Sequence, residues 1–503
     1  MDVDLILREA SSVSKYWRLE GFCTDTSRTI LLTPLGPSAC IALPPYHLLC
    51  VLNEQDPCYQ DLVDVSDNPG SKLPESRIRF IAKTVVELLD AWAVSRNFRG
   101  TINKIAMGSR IHIDEIIPST LSKIWISPNL ELEKRYISLG RLRQLWVDLA
   151  LDLPPTLDFE NMAAISRLHD STSMVQLANG EVAVFKGAVR IVARMYHELR
   201  ELIRMPDHAN VLSKPKYVVT RKISGKPEGV VCGFIVEYHS GGSLLNALAS
   251  STPQRPIPMG TKIKWIRQLI SALQHIHGPV GSFYSDLRLD NIVLSQEGDV
   301  VLVDFEQYGS PQRWLHPSLW DKPAGHHVPP NQSWTKSPIN PVSMPRGIFY
   351  SNPTLGYYKA FSDATDEQRQ TFENYALAKV MWCIFEEELN QVSCVSINDE
   401  NAHMLRDDGR ELHETVFPKF LKTPPRMRYW IWACTRSSKE WGDAHCACTP
   451  REPEVCGRSG AMFQPTTLSG IGIRETSQYF EAGFSAQGGI LRRRRKMMGC
   501  CSY

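Results

Sequence analysis

The sequence predicts a protein of the α+β class, with a strand-rich lobe, a helical lobe and an additional N-terminal domain. Residues 181–186 alternate as a strand does, and residues 192–205 have the apolar spacing of a helix. Residues 263–276 repeat Ile and Leu side chains at helical spacing. The chain of 503 residues is long enough for two or three domains. We therefore expect the strands to precede most of the helices in a two-lobed region.

The composition is that of a globular protein, with 43% hydrophobic and 22% charged residues. A net charge of +2 gives no electrostatic reason to expect binding to nucleic acid or to an acidic membrane. Asp2 and Asp4 stand where a signal peptide carries basic residues, and no apolar run reaches the roughly 18 residues of a membrane span. We expect a soluble protein of the cytoplasm or nucleus, without a transmembrane segment.

Residues 1–155 predict an accessory domain without a recognisable chemical motif. Residues 28–33 are typical of a strand. Two amphipathic helices follow, and their apolar faces are formed by Ile81, Val85, Leu88, Leu89 and Trp92, and by Leu139, Leu142, Leu145, Trp146 and Leu149. Pro154 and Pro155 end helix propagation, so we place a domain boundary there and a second domain over residues 156–440.

Three polar residues in the stretch 284–307 indicate a catalytic site. Asp286 is followed by Asn291, and Asp304 comes directly after the apolar run 300–303. A carboxylate such as Asp286 can accept the proton of a reacting hydroxyl group. Asn291 and Asp304 offer the hard oxygen ligands that Mg²⁺ prefers. Arg288 adds a guanidinium group suited to holding a phosphate.

The order of these residues resembles the catalytic loop and metal-binding strands of the protein-kinase-like superfamily. The resemblance covers roughly residues 165–436 and implies ATP and Mg²⁺ as cofactors. It assigns the proton-accepting role to Asp286 and the metal to Asn291 and Asp304. It also implies that Lys186 binds the nucleotide phosphates and forms an ion pair with Glu198, with Glu201 as the alternative partner.

The resemblance also implies a binding site for the adenine ring. Val175 and Val184 would lie above the ring and Val293 below it, and Val236 would take the gatekeeper position. Backbone groups of Glu237–His239 would hydrogen-bond to the ring. The segment 168–175 contains no Gly, although glycines let backbone amides approach phosphate closely, and Ser171, Thr172 and Ser173 offer hydroxyl groups instead.

Several positions depart from the protein-kinase pattern. Tyr284 and Ser285 replace a His-Arg pair before Asp286, and Glu306 replaces the Gly of the Asp-Phe-Gly motif, which predicts a stiffer loop. Residues 373–383 resemble the buried central helix of the large lobe, with Glu373 in place of an Asp that supports the catalytic loop. Thr261 is predicted to cap the helix that ends near His277.

The C-terminal part contains fewer signals. Residues 310–353 occupy the place of an activation segment, with Asn352-Pro353 in place of Pro-Glu. A last helix is expected over residues 427–436. Its sequence, together with the helix 373–383 and Asn352-Pro353, resembles a divergent kinase-like group of filamentous fungi. Residues 441–503 are expected to be a poorly ordered tail.

The thirteen cysteines are scattered, and we expect Cys232 and Cys383 to be buried thiols rather than parts of a disulfide framework. A cluster in the tail lacks the paired spacing of a zinc site: His445, Cys446, Cys448 and Cys456. Residues 492–496 are basic and precede Cys500 and Cys501, so an acylated membrane tether is the alternative to a solvated tail.

Three functions remain open from the sequence. The first is ATP-dependent phosphoryl transfer to protein serine or threonine. The second is a pseudokinase that presents binding surfaces to a protein partner, which the missing glycines favour. The third is a small-molecule kinase similar to choline or aminoglycoside phosphotransferases, in which Asp-Phe-Glu is common.

Overall fold

The structure is a computed structural model, and it describes the following residues: 3–23, 26–36, 43–53, 55–57, 61, 75–98, 102–115, 124–147, 153–169, 171–188, 192–223, 225–307, 314–316, 361, 363–389, 420–425, 427, 428, 431 and 434. They form two compact units. The first contains the described residues of Met1–Arg204 and Ser213–Tyr238, and the second those of Met205–Leu212, His239–His327 and Tyr357–Tyr503. Both units combine helices and strands, which confirms the α+β class.

The first half of the first unit is a five-stranded sheet with helices. Its elements are α1 (Val3–Ala10), β1 (Trp17–Cys23), β2 (Thr26–Pro34), β3 (Leu48–Leu52), α2 (Glu75–Ser95), β4 (Arg110–Ile113), β5 (Ile124–Ser127), α3 (Leu130–Arg135) and α4 (Leu139–Leu145). The strand order is β1-β2-β3-β4-β5, and only the β3–β4 pair is parallel. Of the predicted apolar face of α2, Ile81, Val85 and Leu89 are buried, and Leu88 and Trp92 are half-buried. The indole of Trp17 donates a hydrogen bond to Leu89 O at 3.1 Å.

The second half of the first unit is a six-stranded sheet with one long helix. Its elements are β6 (Thr156–Asp158), β7 (Met162–His169), β8 (Thr172–Leu177), β9 (Val182–Gly187), α5 (Val192–Arg204), β10 (Tyr217–Arg221) and β11 (Val230–Glu237). The strand order is β6-β10-β11-β9-β8-β7. The predicted strand 181–186 and the predicted helix 192–205 are therefore present, with bounds shifted by one residue.

Buried charges join the six-stranded sheet to the residues that precede it. Arg167 on β7 donates to Tyr46 O at 2.8 Å and to Leu32 O at 3.3 Å. Arg221 on β10 pairs with Glu133 at 3.0 Å, and its guanidinium group lies 5.3 Å from the centre of the Tyr46 ring. Residues 1–147 and the sheet thus share one compact unit, and a separate accessory domain with a boundary at residue 155 stays a prediction.

The second unit is mainly helical. Its elements are α6 (Leu244–Ala249), α7 (Met259–Val280), the hairpin strands β12 (Ile292–Leu294) and β13 (Val300–Leu302), and α8 (Asp366–Glu386). The prediction that Thr261 caps α7 is wrong. The helix begins at Met259 with Pro258 as its N-cap residue, whose backbone is extended (φ −56°, ψ 140°) and whose carbonyl group accepts a hydrogen bond from Thr261 N at 2.9 Å. Helix α8 includes the predicted run 373–383 and begins with a capping box formed by Thr365 and Gln368.

Other predictions are tested only in part. Cys232 and Cys383 are buried thiols, and burial raises the pKa of Cys232 to about 12. The described residues of the expected last helix, Met427, Arg428, Ile431 and Cys434, are helical. Most of the segment 310–353, the cysteine cluster of the tail and the basic segment before Cys500 lie outside the described residues. No described helix is both long and apolar enough to cross a membrane.

Glu387 ends α8 at the centre of a polar network. Its carboxylate lies 2.6 Å from Lys262 Nζ and accepts hydrogen bonds from Ser251 Oγ at 2.7 Å and from Ile257 N at 3.2 Å. Burial alone would raise the pKa of Glu387, but the hydrogen bonds from Lys262 and Ser251 lower it to about 2 overall. The ionised carboxylate therefore stabilises the second unit at neutral pH.

This network predicts a pH-dependent loss of stability. A folded-state pKa below the unfolded value of 4.5 means that the stabilisation by Glu387 is present above about pH 4.5 and is lost as the pH falls toward about 2. We expect Glu387→Gln to lower the free energy of unfolding by about 3 kcal/mol at pH 7, with the difference from wild type shrinking below pH 4.5. Chemical denaturation from pH 3 to 7 measures it, with the exposed neighbour Glu388→Gln as control. A difference that does not change with pH would contradict this role.

Candidate functional site

A buried ion pair links β9 to α5 in the first unit. Lys186 Nζ lies 2.6 Å from Glu198 Oε1, and the two side chains are 9% and 0% exposed. The alternative partner, Glu201, instead pairs with Arg204 at 3.0 Å. A lysine held at this depth by one carboxylate has a fixed position in the sheet, which is what binding of a phosphate group requires.

The strand register decides which side chains share a face with Lys186. In antiparallel pairs the two partners point to the same face, and β9 pairs Val184 with Val236 on β11 and with Met174 on β8. Val184 and Val236 therefore lie on the face of Lys186, because Val184 and Lys186 are two residues apart.

Val175 lies on the opposite face of this sheet. Its partner is Ala183, and it is fully buried. This contradicts the prediction that Val175 and Val184 lie on one surface. The cause is the register, which brings Met174 rather than Val175 opposite Val184. Met174 is half-buried and is the residue that the sequence reasoning missed.

The serine and threonine residues of the glycine-free turn are divided between the same two faces. Thr172 pairs with Lys186 and shares its face, whereas Ser173 pairs with Phe185 and is buried on the other. Ser171 O accepts a hydrogen bond from Gly187 N at 2.9 Å. Of these three predicted hydroxyl donors, Thr172 is the one that lies beside Lys186.

The segment predicted to bind adenine through its backbone contains the position in the sequence at which the first unit ends and the second continues. Glu237 ends β11 in the first unit, and His239 begins the next part of the second. After them, Gly241 N bonds to Leu294 O at 3.0 Å, and Leu294 N bonds to Gly242 O at 2.8 Å. Val293, on β12, pairs with Val301 and is half-buried.

The catalytic-loop residues of the second unit converge on one carboxylate. Asn291 Nδ2 donates to Asp286 Oδ2 at 2.9 Å and to Asp286 O at 3.0 Å. Arg288 Nε lies 3.2 Å from Asp286 Oδ1, and its Nη1 lies 2.6 Å from Asp290. Burial alone would lower the pKa of Arg288, but the charges of Asp286 and Asp290 raise it overall. Both oxygens of Asp286 are therefore held in fixed directions.

Asp304 is attached to this loop through the backbone. Val303 N donates to Asn291 O at 3.0 Å, which places Asn291 beside the residue that precedes Asp304. Asp304 has a φ of 66°, in the left-handed region that costs a residue other than glycine on the order of 1 kcal/mol. Strained backbone of this kind is concentrated at functional sites.

The donor set fits a magnesium ion. Asn291 uses its amide nitrogen on Asp286, so its carbonyl oxygen is the ligand that it can offer. Together with the carboxylate of Asp304 this gives the hard oxygen ligands that Mg²⁺ prefers, and Mg²⁺ takes few protein ligands because it keeps several waters.

Glu373 on α8 supports the catalytic loop, as predicted for the acid at this position. Its Oε1 accepts a hydrogen bond from Tyr284 N at 2.7 Å, and its Oε2 contacts His277 Nε2. Tyr284 replaces a histidine of the kinase pattern, and its hydroxyl group donates to Val303 O while its ring lies 5.1 Å from that of Phe305. The loop is thus bonded both to α8 and to Val303, which lies between β13 and Asp304.

Gln307 is a second residue that the sequence reasoning missed. Its Oε1 accepts from Ser285 N at 2.7 Å, its Nε2 donates to Phe283 O at 2.7 Å, and its own carbonyl accepts from Ser285 Oγ at 3.0 Å. Gln307 is 1% exposed and has a φ of 59°. No periodicity or motif marks it, because its contacts are with a loop more than 20 residues earlier.

The chain is similar over part of its length to several curated protein kinases. CBL-interacting protein kinase 30 of Oryza sativa subsp. japonica is 31% identical over 136 residues, which are 26% of this chain and 26% of that protein. Serine/threonine-protein kinase UCNL of Arabidopsis thaliana is 26% identical over 176 residues, 33% of this chain and 43% of that protein. A cAMP-dependent protein kinase catalytic subunit-like protein of Caenorhabditis briggsae is 22% identical over 163 residues, 31% and 41% of the two chains.

These similarities have defined limits. The aligned part of the chain spans less than half the length of each of the three relatives. The sequence matches no protein-family model.

Proposed function

Because the chain is a divergent member of the protein-kinase-like superfamily, we propose that it transfers the terminal phosphoryl group of ATP to serine or threonine hydroxyl groups of a protein substrate. The observation that carries this proposal is the arrangement around Asp286, whose two carboxylate oxygens are held by Asn291 and Arg288. The finer resemblance to a fungal group and a location in the cytoplasm or nucleus stay predictions.

Each residue has a role that follows from its chemistry. Asp286 would orient the substrate hydroxyl group and accept its proton. Asn291 and Asp304 would hold Mg²⁺, which neutralises the negative charge that phosphoryl transfer spreads over the phosphate oxygens. Arg288 would bind the transferred phosphate with the part of its guanidinium group that faces away from Asp290.

The residues of the first unit would bind the nucleotide. Lys186, held by Glu198, would contact the phosphates, with Thr172 offering a hydroxyl group beside it. Val184 and Val236 would contact the adenine ring from the same face, and we substitute Met174 for Val175 in this role. For Glu237, His239 and Val293, the proposed role in adenine binding rests on the sequence resemblance.

One observation favours a second function, that of a pseudokinase acting as a binding scaffold. The turn between β7 and β8 contains no glycine, so backbone amides have less access to the phosphates. A small-molecule kinase is the third possibility, and the Asp-Phe-Glu sequence at 304–306 favours it.

Nucleotide binding tests the proposal directly. We expect Mg²⁺ and ATP together to stabilise the wild-type protein in a thermal-shift titration, by about 2.7 kcal/mol at a hundredfold excess over the dissociation constant. Lys186→Met should abolish the shift because it removes the phosphate-binding charge. The matched control is Lys216→Met, a lysine of the same unit that forms an exposed pair with Glu181, and it should keep the wild-type shift.

The outcomes separate the three functions. No thermal shift at millimolar ATP would overturn phosphoryl transfer and would favour the pseudokinase acting as a binding scaffold. A shift accompanied by phosphorylation of an amino alcohol or aminoglycoside, without transfer to any protein, would assign the small-molecule function.

A further inference from the structure

Tyr196 attaches helix α5 to the rest of the first unit on the side away from Lys186. It lies two residues before Glu198, which is about 200° around the axis of a helix with 3.6 residues per turn. Its hydroxyl group donates to Val231 O on β11 at 2.8 Å and accepts from Ile137 N at 3.0 Å. Tyr196 and Glu198 are both fully buried, so the helix is enclosed on both sides.

The segment 133–138 that receives Tyr196 is itself fixed to the sheet. Val231 N donates to Ile137 O at 2.9 Å, and Ser138 forms an antiparallel bridge with Val230. At the start of the segment, Glu133 forms its buried ion pair with Arg221 on β10. The tyrosine hydroxyl group therefore bonds to two backbone groups that cannot move independently of the sheet.

The sheet also carries Lys186. Since β11 pairs directly with β9, Val231 and Lys186 belong to one ladder, and two of the contacts between α5 and that ladder bear on the position of Glu198. One contact is the Lys186–Glu198 ion pair and the other is that of the Tyr196 hydroxyl group. Loss of the Tyr196 hydrogen bonds would let α5 turn or shift, and this would lengthen the distance between Lys186 and Glu198.

We infer that Tyr196 is a positioning residue, which holds Glu198 against Lys186 through its bonds to Val231 and to the N-terminal segment. This inference rests on the proposed function, in which the ion pair places Lys186 for phosphate binding. The segment 133–138 thereby supplies a contact that fixes α5.

The test measures how tightly Lys186 is held, without using nucleotide. Lysines are acylated with an amine-reactive reagent, and the rate at Lys186 is followed by peptide mass spectrometry. We expect Tyr196→Phe, which keeps the ring and removes the hydroxyl group with both of its hydrogen bonds, to raise this rate by at least about tenfold, the factor that corresponds to losing a single buried hydrogen bond. Tyr46→Phe removes a partly buried hydrogen bond to Glu160 in the same unit, and it should leave the rate unchanged.

A double variant separates positioning from general destabilisation. If Tyr196 acts through Glu198, adding Tyr196→Phe to Glu198→Gln should not raise the acylation rate further. Independent, multiplying effects of the two changes would overturn the inference. If Tyr196→Phe does not fold, Ile137→Pro removes the N–H donor and leaves the tyrosine in place, and Tyr136 already has the extended backbone that a following proline requires.

Failure of this inference can be distinguished from failure of the proposed function. Faster acylation in Tyr196→Phe together with no ATP binding by the wild type would support the positioning role and overturn phosphoryl transfer. ATP binding by the wild type together with unchanged acylation in Tyr196→Phe would overturn the positioning role alone. If both proposals hold, Tyr196→Phe should also weaken binding of Mg²⁺ and ATP by about tenfold, and Tyr46→Phe should not.

Discussion

On the proposed function, replacing Asp304 with Asn is expected to lower the rate of phosphoryl transfer by about a thousandfold, because it removes the carboxylate charge that would hold Mg²⁺. The substitution isolates this charge. Asn and Asp are both among the non-glycine residues enriched at positive φ, so the backbone at φ 66° should be kept, and the side chain has nearly the same shape. Single-turnover transfer from labelled ATP over a range of Mg²⁺ concentrations measures the effect.

The matched control is Asp299→Asn in the same hairpin. Asp299 pairs with Lys264 at 2.6 Å and is partly exposed, so the same chemical change should leave transfer close to wild type. If Asp304→Asn transferred phosphate at the wild-type rate, the metal-binding role of Asp304 would be refuted. A scaffold protein would instead keep its partner binding in both variants.

Replacing Glu373 with Leu is expected to destabilise the second unit by about 3–5 kcal/mol. Leucine fills a similar volume but leaves the backbone N–H of Tyr284 without its acceptor in a buried position, and it removes the partner of His277. Urea denaturation monitored by tryptophan fluorescence measures the loss. The effect should extend to function, since the catalytic loop is bonded to α8 through this carboxylate.

Two further variants show which atom of Glu373 matters. Glu373→Gln keeps an acceptor oxygen for Tyr284 N and loses only the charge beside His277, so we expect a smaller cost of about 1–2 kcal/mol. Glu367→Leu changes an exposed acid in the first turn of the same helix and should have little effect. Equal losses for Glu373→Leu and Glu367→Leu would show that the buried hydrogen bond is not the cause.

Contacts between motif residues that are recognised by their order along the chain were predictable from the sequence. Contacts that depend on how neighbouring strands are paired were not. The pairing of Lys186 with Glu198 followed from their position before a complete downstream motif. The support of the catalytic loop by Glu373 followed in the same way. Val175 was assigned to the wrong face because a hairpin turn can shift the register by one residue, which reverses every side chain of the strand.

Residues whose partners are distant in sequence were also missed. Gln307 bonds to Ser285 across 22 positions, and nothing in its own neighbourhood marks it. The start of α7 was predicted too late in the sequence. Threonine is a common N-cap residue and proline is not, so Thr261 was chosen, whereas the helix follows Pro258. The contacts of Arg167 with Leu32 and of Arg221 with Glu133 gave no local signal, because arginine side chains are mostly exposed and nothing nearby in the sequence marks these two as buried.

These two arginines also bear on the order in which the chain folds. The contacts of Arg167 with Tyr46 and Leu32 span 121 and 135 positions, and the pair of Arg221 with Glu133 spans 88. Long-range contacts of this kind slow folding, because the loop must close before the contact gives any free energy in return. During synthesis the N-terminal segment leaves the ribosome well before its partner strands, so the first unit completes its folding only after β11 has been made.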